Sequence, residues 1–269
     1  MGGHKTIFIT GGASGIGRAV AVRFGQQGWF VGLADVNEAG MRETAAMIPA
    51  GKSSIHKLDV RDREAWDKAL ADCARASEGK IDVVFNNAGI PLGGNLIENN
   101  TAEIERCLDI NLKGVLFGAQ AAHRWLKASA PGSCLLNTAS AAGIYGTPGA
   151  SVYSATKFGV RAITECLDAE WAPDEIKVCD LMPGFIDTPL IDQTPNAGSN
   201  EDIRSRVTEA GLEITPVTEV AEAAWQAVHG TALHNRVGKT AHRLAFASRW
   251  MPGRLRKMTR SQLKPLGGL

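Results

Sequence analysis

A tyrosine and a lysine lie four residues apart in the stretch YSATK, at Tyr153 and Lys157. On a helix this spacing places both side chains on one face. A tyrosine hydroxyl has an ordinary pKa of about 10, and a neighbouring ammonium group favours the phenolate and lowers that pKa. The pair could therefore exchange a proton with a bound hydroxyl or carbonyl group. Taken alone, the pattern is more typical of a half-buried helix tyrosine beside a solvated lysine.

A glycine-rich stretch, TGGASGIG at residues 10–17, directly follows the apolar run Ile7-Phe8-Ile9. Such a turn between a buried strand and a helix directs backbone N–H groups toward bound phosphate. Glycine permits both the backbone angles and the close approach of a pyrophosphate. Asp35 ends the next predicted strand, where a carboxylate can accept hydrogen bonds from the hydroxyls of an adenosine ribose. The stretch therefore predicts a dinucleotide site.

Asp35 also bears on which dinucleotide binds. Its carboxylate repels a 2′-phosphate, and neither its neighbours Val36 and Asn37 nor Ser14 in the loop offers a compensating cation. The sequence therefore predicts NAD rather than NADP as the cofactor.

Four further segments follow in order: NNAG at 86–89, INLKG around Asn111, NTASAAG around Ser140, and PGFIDT from Pro183. With TGGASGIG and YSATK, they resemble the short-chain dehydrogenase/reductase family in its classical branch. The resemblance extends to about residue 190. Each segment is a weak signal alone, but six in family order and spacing are specific. The resemblance implies an oxidoreductase that interconverts an alcohol and its ketone by hydride transfer.

The chemistry of these side chains and the resemblance together give each one a role. Tyr153 would exchange the hydroxyl proton of the substrate, and Ser140 would hydrogen-bond the same oxygen and stabilise its developing charge. By resemblance, Lys157 also holds the nicotinamide ribose, and Asn111 completes a proton relay through water to Lys157. The predicted catalytic residues are Asn111, Ser140, Tyr153 and Lys157; the predicted cofactor residues are Gly11, Ser14, Gly15, Ile16, Gly17, Asp35, Asp59, Val60, Asn87, Tyr153, Lys157, Pro183, Gly184, Ile186 and Thr188.

Several of these residues also have simpler interpretations. Ser140 follows a predicted strand and could cap a turn, and Asp59 could cap a strand end. Asn111 is a poor helix former in the middle of a predicted helix, which indicates a functional role or a kink. Of the paired asparagines, Asn86 is expected to brace the sheet and Asn87 to contact the cofactor.

Short apolar runs alternate with longer helical patterns along most of the chain. Few charges interrupt the runs, as is typical of strands buried on both faces. The rhythm predicts a single α/β domain with a doubly wound, mostly parallel sheet (Rossmann fold) and helices on both faces. The predicted strands are 5–10, 29–35, 54–59, 81–86, 133–138 and 176–182; the predicted helices are 15–27, 37–47, 62–78, 101–128 and 151–171.

The alternation of apolar runs and helical patterns ends after residue 183. Residues 183–216 are rich in Pro, Gly and Thr, with a short helical piece near 201–210, and a loop of this length is typical of a functional segment. A helix fits 217–229, a short strand fits 234–239, and one or two amphipathic segments fit the tail around Pro252-Gly253. We expect an NAD-binding Rossmann domain at 1–240, which includes a substrate loop at 184–216, and a basic C-terminal extension at 241–269.

Charge is distributed unevenly along the chain. Residues 223–269 hold nine Lys/Arg and no Asp or Glu, whereas residues 1–222 hold 20 Lys/Arg and 28 Asp/Glu. The favoured interpretation is that this basic tail docks on the acidic body of its own or a neighbouring subunit. The alternative is a weak contact with an anionic membrane surface or another acidic partner. The resemblance implies a homodimer or homotetramer built through 101–128 and 151–171; no nucleic-acid partner is expected.

Other sequence features exclude some classes of protein. The five cysteines are irregularly spaced without CxxC, which predicts reduced thiols in a cytoplasmic protein. The six histidines show no metal-ligand spacing, so no metal site is expected. No apolar run reaches the length of a membrane span, and MGGHKT leads into strand-like sequence without the regions of a signal peptide.

Three segments are expected to frame a substrate pocket: 90–97, 141–149 and 185–215. They are poor in charge, and Leu92, Tyr145 and Phe185 favour an apolar ligand. The sequence therefore predicts a hydrophobic secondary alcohol or its ketone as substrate. Two alternatives stay open: an epimerase that retains NAD, and a non-catalytic NAD-binding regulator. The intact set of Ser140, Tyr153 and Lys157 argues against the regulator, since a pure binder has no need of the phenol.

Overall fold

A computed structural model describes residues 4–261 of the chain. The strands are β1 (Thr6–Thr10), β2 (Phe30–Asp35), β3 (Ser53–Lys57), β4 (Val83–Asn86), β5 (Cys134–Thr138), β6 (Lys177–Pro183), β7 (Phe185–Ile186), β8 (Ile214–Thr215) and β9 (His234–Val237). The helices are α1 (Gly15–Gln26), α2 (Glu38–Ala46), α3 (Arg63–Ala76), α4 (Thr101–Leu108), α5 (Gly114–Ala128), α6 (Ser151–Trp171), α7 (Ile203–Glu209), α8 (Val217–His229), α9 (Gly238–Trp250) and α10 (Pro252–Ser261).

Seven of these strands form one sheet in the order β3-β2-β1-β4-β5-β6-β9, and every neighbouring pair is parallel. The order reverses between β1 and β4, so the carboxyl ends of these two strands border a crevice in which ligands of such folds bind. The predicted doubly wound α/β domain is confirmed.

Apolar side chains cover the sheet on both faces. On one face α1 and α8 pack together, with Val20, Phe24 and Val220 buried. On the other face α3 and α5 pack together, with Trp66 and Leu126 buried. Within α1 the buried Val20, Ala21 and Phe24 recur at helical spacing, which explains why this segment forms an amphipathic helix against the strands.

The structure differs from the sequence-based elements at three places. The helix expected over 101–128 is divided into α4 and α5 by a π-helical turn at Asp109–Lys113. The strand expected over 234–239 ends at Val237, because Gly238, with φ of 81°, begins α9. The expected loop 183–216 contains a small parallel pair formed by β7 and β8 that was not predicted, whereas the helical piece expected near 201–210 is present as α7.

The C-terminal helices pack on the body of the domain. α9 contacts β6, β9 and the single turn Ala141–Gly143, and α10 packs on α9. Ala241 and Leu255 are buried in these contacts. The expected domain boundary at residue 240 thus falls inside α9, and residues 262–269 of the expected extension lie outside the described residues. No helix within residues 4–261 combines the length and apolarity that crossing a bilayer requires.

A buried charged cluster ties β6, β9 and α6 together. The carboxylate of Asp180, fully buried in β6, lies 3.0 Å from Nδ1 of His234, whose Nε2 lies 3.1 Å from Oε1 of Glu165. Burial raises the pKa of Asp180, and its hydrogen bond with that carboxylate raises the pKa of His234. Arg161, ion-paired with Glu165, also faces this cluster.

This cluster predicts a pH-dependent stability. Both raised pKa values mean that the folded chain binds protons more tightly than the unfolded chain. The contribution of His234 to the free energy of unfolding is therefore fully present below its ordinary pKa of about 6.5. It is lost as the pH rises through the raised pKa that His234 has in the folded chain. We expect the free energy of unfolding, measured by urea titration, to fall between slightly acid and slightly alkaline pH, with a shallower slope in His234→Asn.

The matched control is His242→Asn, since His242 is exposed on α9. This variant should keep the slope of the unmodified protein. Equal slopes in all three proteins would show that the cluster does not control stability.

Candidate active site

Two elements hold the predicted proton-transfer residues. Tyr153 and Lys157 project from successive turns of α6, with Nζ of Lys157 5.6 Å from the centre of the Tyr153 ring. Nζ of Lys157 donates a hydrogen bond of 2.8 Å to the carbonyl of Thr138, the last residue of β5. Ser140 follows β5 directly, and its Oγ accepts from the N–H of Ala142 at 3.1 Å. The turn-cap interpretation of Ser140 is therefore confirmed, and its hydroxyl also faces the cleft.

Burial shifts the pKa values of this pair in opposite directions. Removal from water disfavours the charged form of each group. It raises the pKa of Tyr153 to about 12, against a smaller lowering by a hydrogen bond with Ser140. It lowers the pKa of Lys157 to about 8. We expected Lys157 to lower the Tyr153 pKa; burial shifts that pKa the other way, and the opposing effect comes from the hydrogen bond with Ser140.

The π-helical turn between α4 and α5 carries Asn111, which is fully buried. Its Oδ1 accepts from the N–H of Ile90 at 2.8 Å, and its Nδ2 donates to the carbonyl of Ile90 at 2.9 Å. Asn111 therefore fixes the chain just after β4 from a turn that departs from the regular α-helix. Single π-helical turns inside α-helices are frequent at functional sites. The proton relay expected of Asn111 stays a prediction.

The glycine-rich loop connects β1 to α1. Gly11 and Gly15 adopt φ of 69° and 52°, which side chains with a Cβ rarely adopt. A Cβ on Gly17 would lie 2.1 Å from the carbonyl oxygen of Gly11. Ser14 precedes the first turn of α1 and Ile16 lies within it, so the helix N-terminus opens on the loop. This loop is shaped to present backbone N–H groups to an anion.

Asp35 lies at the carboxyl end of β2, beside that loop. Its carboxylate accepts from the N–H of Ala13 at 3.2 Å and from the N–H of Asn37 at 3.0 Å. Backbone groups thus fix the orientation of the carboxylate at the edge of the cleft.

The paired asparagines at the end of β4 have different surroundings. Nδ2 of Asn86 donates to Oδ1 of Asn137 in β5 at 3.0 Å, so the expectation that Asn86 braces the sheet is confirmed. Asn87 donates from Nδ2 to the carbonyl of Thr10 at 2.9 Å and accepts from Oγ1 of Thr138 at 3.2 Å. Asn87 thereby links the ends of β1, β4 and β5 at the wall of the cleft.

The strand end at Pro183 lies opposite the glycine-rich loop. The carbonyl of Pro183 accepts a hydrogen bond of 3.4 Å from Oγ of Ser140. After Gly184 the chain forms β7, which contains Ile186, and reaches Thr188. A Cβ on Gly15 would lie 3.3 Å from the side chain of Thr188, so the two segments nearly touch. A ligand on the loop would therefore lie beneath residues 184–188.

One cleft of about 1200 Å³ collects most of the predicted residues. Gly17, packed against the loop, and Asn111, bonded to Ile90, are not among its lining residues. Those that line it are Gly11, Ser14, Gly15, Ile16, Asp35, Asp59, Val60, Asn87, Ser140, Tyr153, Lys157, Pro183, Gly184, Ile186 and Thr188.

The family model for short chain dehydrogenases matches residues 5–198 of this sequence. The chain belongs to the short-chain dehydrogenase family. It is an oxidoreductase of that family, and the match covers the glycine-rich loop, six of the seven strands of the sheet (β1 to β6) and every predicted site residue.

Individual members of the short-chain dehydrogenase family are moderately similar to this one. A meso-2,3-butanediol dehydrogenase of Serratia marcescens is 30% identical over 77% of this chain and 79% of its own length. A putative oxidoreductase, SadH, of Mycobacterium tuberculosis is 37% identical over 69% of this chain and 68% of its own. The crystal structure of a 3-ketoacyl-(acyl-carrier-protein) reductase from Brucella melitensis, complexed with NADH, has a TM-score of 0.78 at 26% identity and covers 89% of this chain and 99% of that one.

Asp59 in this short-chain dehydrogenase is engaged by a neighbour. Its carboxylate accepts from the guanidinium of Arg61 at 2.6 Å and 3.0 Å, and that hydrogen bond lowers the pKa of Asp59. Asp59 and Val60 line the cleft, and the cofactor contact expected of them stays a prediction.

Part of the cleft wall was not predicted from the sequence. Side chains of α9 and α10 line the cleft, and three arginines reach its lining from α4, α7 and α9. The signal was present in the spacing of the α9 residues, which recur every three or four positions on one helix face. The missed lining residues include Glu98, Arg106, Thr240, Arg243, Leu244, Ala247, Leu255, Met258 and Thr259, whereas Arg206 lies within the expected segment 185–215.

Proposed function

We propose that this short-chain dehydrogenase interconverts a hydrophobic secondary alcohol and its ketone with NAD(H) as the hydride carrier. The observation that carries the proposal is the arrangement of Ser140, Tyr153 and Lys157 in one buried corner of a large cleft. A phenol, a hydroxyl and an ammonium group held together in this way can donate and accept one proton at a substrate oxygen.

The chain offers a fitting place for a dinucleotide. Gly11 and Gly15 hold the loop in backbone conformations that expose N–H groups, and α1 begins at that loop. At the other end of the crevice, Lys157 would hold the nicotinamide ribose. A bound nicotinamide dinucleotide supplies the acceptor or donor of the hydride. The NADH complex of the related reductase from Brucella melitensis supports this assignment.

The proposed proton path runs through Tyr153. During oxidation its phenolate takes the proton of the substrate hydroxyl; during reduction its phenol returns that proton to the forming alkoxide. Ser140 hydrogen-bonds the same oxygen and stabilises its developing charge. The ammonium of Lys157 stabilises the phenolate, and that stabilisation grows as water is excluded.

Asp35 supports NAD over NADP. Its carboxylate is fixed by two backbone N–H groups at the edge of the cleft, where it would accept from ribose hydroxyls and repel a 2′-phosphate. Arg18, the nearest guanidinium beneath the loop, is held by the carbonyl of Ala13 at 2.6 Å and by Glu43 at 2.8 Å. Arg18 is therefore poorly placed to neutralise the charge of a 2′-phosphate.

Asp35→Asn tests this preference, because it removes the charge but keeps one oxygen for the backbone N–H groups. We expect KM for NAD to rise about 10-fold and kcat/KM with NADP to increase, as the loss of a charged hydrogen bond predicts. Asp67→Ala removes a carboxylate on the surface of α3 and is the control. An unchanged ratio of kcat/KM for the two cofactors would remove the role assigned to Asp35.

The lining around the reacting corner supports an apolar substrate. Leu92, Tyr145 and Phe185 face the cleft, as expected, and Leu244 and Met258 add apolar surface from the C-terminal helices. The three lining arginines, Arg106, Arg206 and Arg243, are exposed to solvent. The substrate proposed is therefore one with bulky hydrophobic substituents at the carbinol carbon.

The deciding experiment is a panel of secondary alcohols, from small and polar to bulky and apolar, with NAD or NADP. The readout is the near-ultraviolet absorbance of the reduced nicotinamide. Turnover that increases with apolar bulk would support the proposal. Equal turnover of small charged hydroxy acids would overturn the substrate class, and tight NADH binding without any turnover would favour the regulator.

The long helices are proposed to form a subunit interface. Leu108 at the end of α4, Leu116 on α5 and Phe158 on α6 are exposed apolar side chains. Burial of such a surface between copies of the chain is what a homodimer or homotetramer requires. Light scattering of the purified protein tests this proposal, and a monomeric mass would contradict it.

A further inference from the structure

The cations of α9 and α10 are not neutralised by the body of the protein. None of them lies within ion-pair distance of a carboxylate among residues 4–261, whereas body arginines such as Arg18, Arg23 and Arg204 each pair with at least one. The expected docking of the tail on its own acidic body therefore does not occur through ion pairs in the described residues. The cations concerned are Lys239, Arg243, Arg249, Arg254, Arg256, Lys257 and Arg260.

Large apolar side chains stand among these cations. Trp250 is 66% exposed and Phe246 is 58% exposed, and both belong to the same face of α9 as Arg243 and Arg249 by their spacing of three and four residues. The guanidinium of Arg249 lies 5.4 Å from the centre of the Trp250 ring. Cations and aromatic rings thus alternate along one outward face.

The opposite side of the same helices faces the protein. Ala241 and Leu255 are buried, and Leu244, Ala247 and Met258 line the cleft. The two helices therefore form a thin wall with the cleft on one side and the cationic, aromatic face on the other. Arg243, which is exposed and also lines the cleft, stands at the border between the two.

We propose that the outward face of α9 and α10 binds an anionic lipid bilayer and holds the mouth of the cleft at the membrane surface. Lysine and arginine would contact lipid phosphates, while Trp250 and Phe246 would insert at the boundary between headgroups and acyl chains. An apolar substrate dissolved in the bilayer would then reach the cleft without crossing water.

A second copy of the chain is the main competing partner, because residues 1–222 carry an excess of acidic residues. The pattern of the face favours lipid. The core of a protein interface is depleted of lysine and charged groups lie at its rim, whereas on α9 Arg243 and Arg249 lie on the same face as Phe246 and Trp250. An interfacial layer accepts both kinds of group side by side.

Co-sedimentation of the full-length protein with phosphatidylcholine vesicles, with and without phosphatidylglycerol, tests the proposal. We expect binding only to the anionic vesicles and release by raising NaCl to about 0.5 M. Arg249→Gln combined with Arg256→Gln should reduce the bound fraction about tenfold or more, since each cation near an anionic surface contributes measurably. Trp250→Ala should reduce it as well.

Matched controls separate this surface from general charge and hydrophobicity. Lys68→Gln combined with Lys80→Gln removes two exposed body cations, and Ile97→Ala removes an exposed apolar side chain. Both should bind like the unmodified protein. Failure to bind anionic vesicles overturns the proposal. So does a change in oligomeric mass in the two-arginine variant without vesicles, which would assign the face to a second copy.

Binding is measured without substrate or cofactor, so it is independent of the proposed reaction. A chain that sediments with vesicles but oxidises no alcohol would retain this inference and lose the proposed function. A chain that turns over apolar alcohols but does not bind anionic vesicles would retain the proposed function and lose this inference.

Discussion

Tyr153→Phe is expected to reduce kcat at least about 1000-fold while leaving NADH binding within about threefold of the unmodified protein. The substitution removes only the hydroxyl, so the ring keeps its position 5.6 Å from Nζ of Lys157. Without that hydroxyl no group in the corner can exchange the substrate proton at the same place. Steady-state turnover of the best alcohol and fluorescence titration with NADH measure the two quantities.

Tyr145→Phe provides a matched control, because Tyr145 and Tyr153 are the two tyrosines of the sequence and both line the cleft. Tyr145 belongs to the apolar wall, so loss of its hydroxyl should change kcat by less than about threefold. If the two variants lose activity equally, loss of either tyrosine hydroxyl from the cleft impairs the enzyme. Proton transfer would then not be assigned specifically to Tyr153. If Tyr153→Phe remains active, another group transfers the proton.

The pKa values of the pair explain why the cofactor matters to this chemistry. Burial raises the pKa of Tyr153 to about 12 and lowers that of Lys157 to about 8, so at neutral pH the protein alone holds a neutral phenol beside an ammonium group that loses its proton more readily than an ordinary lysine. The sequence predicted the pair but not this balance, because residue types and spacing do not reveal how much water reaches a side chain. The positive charge of an oxidised nicotinamide ring would favour the phenolate, and catalysis would then be coupled to cofactor binding.

The sheet and its motifs were predictable because their signals are local. A strand buried on both faces is a short apolar run, and the glycine-rich loop, Asp35 and Asn87 lie at the ends of such runs. Parallel strands place these ends at one edge, so sequence order alone brings the motifs together. The π-helical turn at Asp109–Lys113 was not predicted, since one extra residue per turn leaves the hydrophobic pattern of 101–128 almost unchanged. Asn111 in mid-helix was its only trace.

The C-terminal wall of the cleft could not be predicted for a different reason. The spacing of Thr240, Arg243, Leu244 and Ala247 marks one helix face, but the sequence does not state what that face contacts. Its position depends on Gly238, which turns the chain from β9 into α9 beside Thr215. The sequence therefore predicted amphipathic segments in the tail, but not the surface on which they pack.

Among alanine substitutions of the glycines in the glycine-rich loop, Gly17→Ala should weaken cofactor binding the most. A Cβ there would lie 2.1 Å from the carbonyl oxygen of Gly11 and 2.9 Å from Nδ2 of Asn87. The first turn of α1 at Gly17 and the loop at Gly11 cannot both keep their positions. Asn87 cannot move freely either, because it donates a hydrogen bond to the carbonyl of Thr10. Overpacking of this kind costs about 1–3 kcal/mol. We expect a fall in melting temperature of several degrees and a loss of NADH affinity of about 100-fold, because the backbone N–H groups leave the phosphate site.

Gly253→Ala is the control for Gly17→Ala, because a Cβ at Gly253 in α10 meets no atom within 4 Å. Alanine is also the better helix former, so this variant should melt at the same temperature or slightly higher and bind NADH normally. Calorimetry and NADH titration separate two effects in Gly17→Ala. A lower melting temperature with intact NADH affinity would mean that α1 shifts while the glycine-rich loop keeps its conformation. The loop conformation would then not depend on the contact with α1. Loss of both would show that this contact shapes the site.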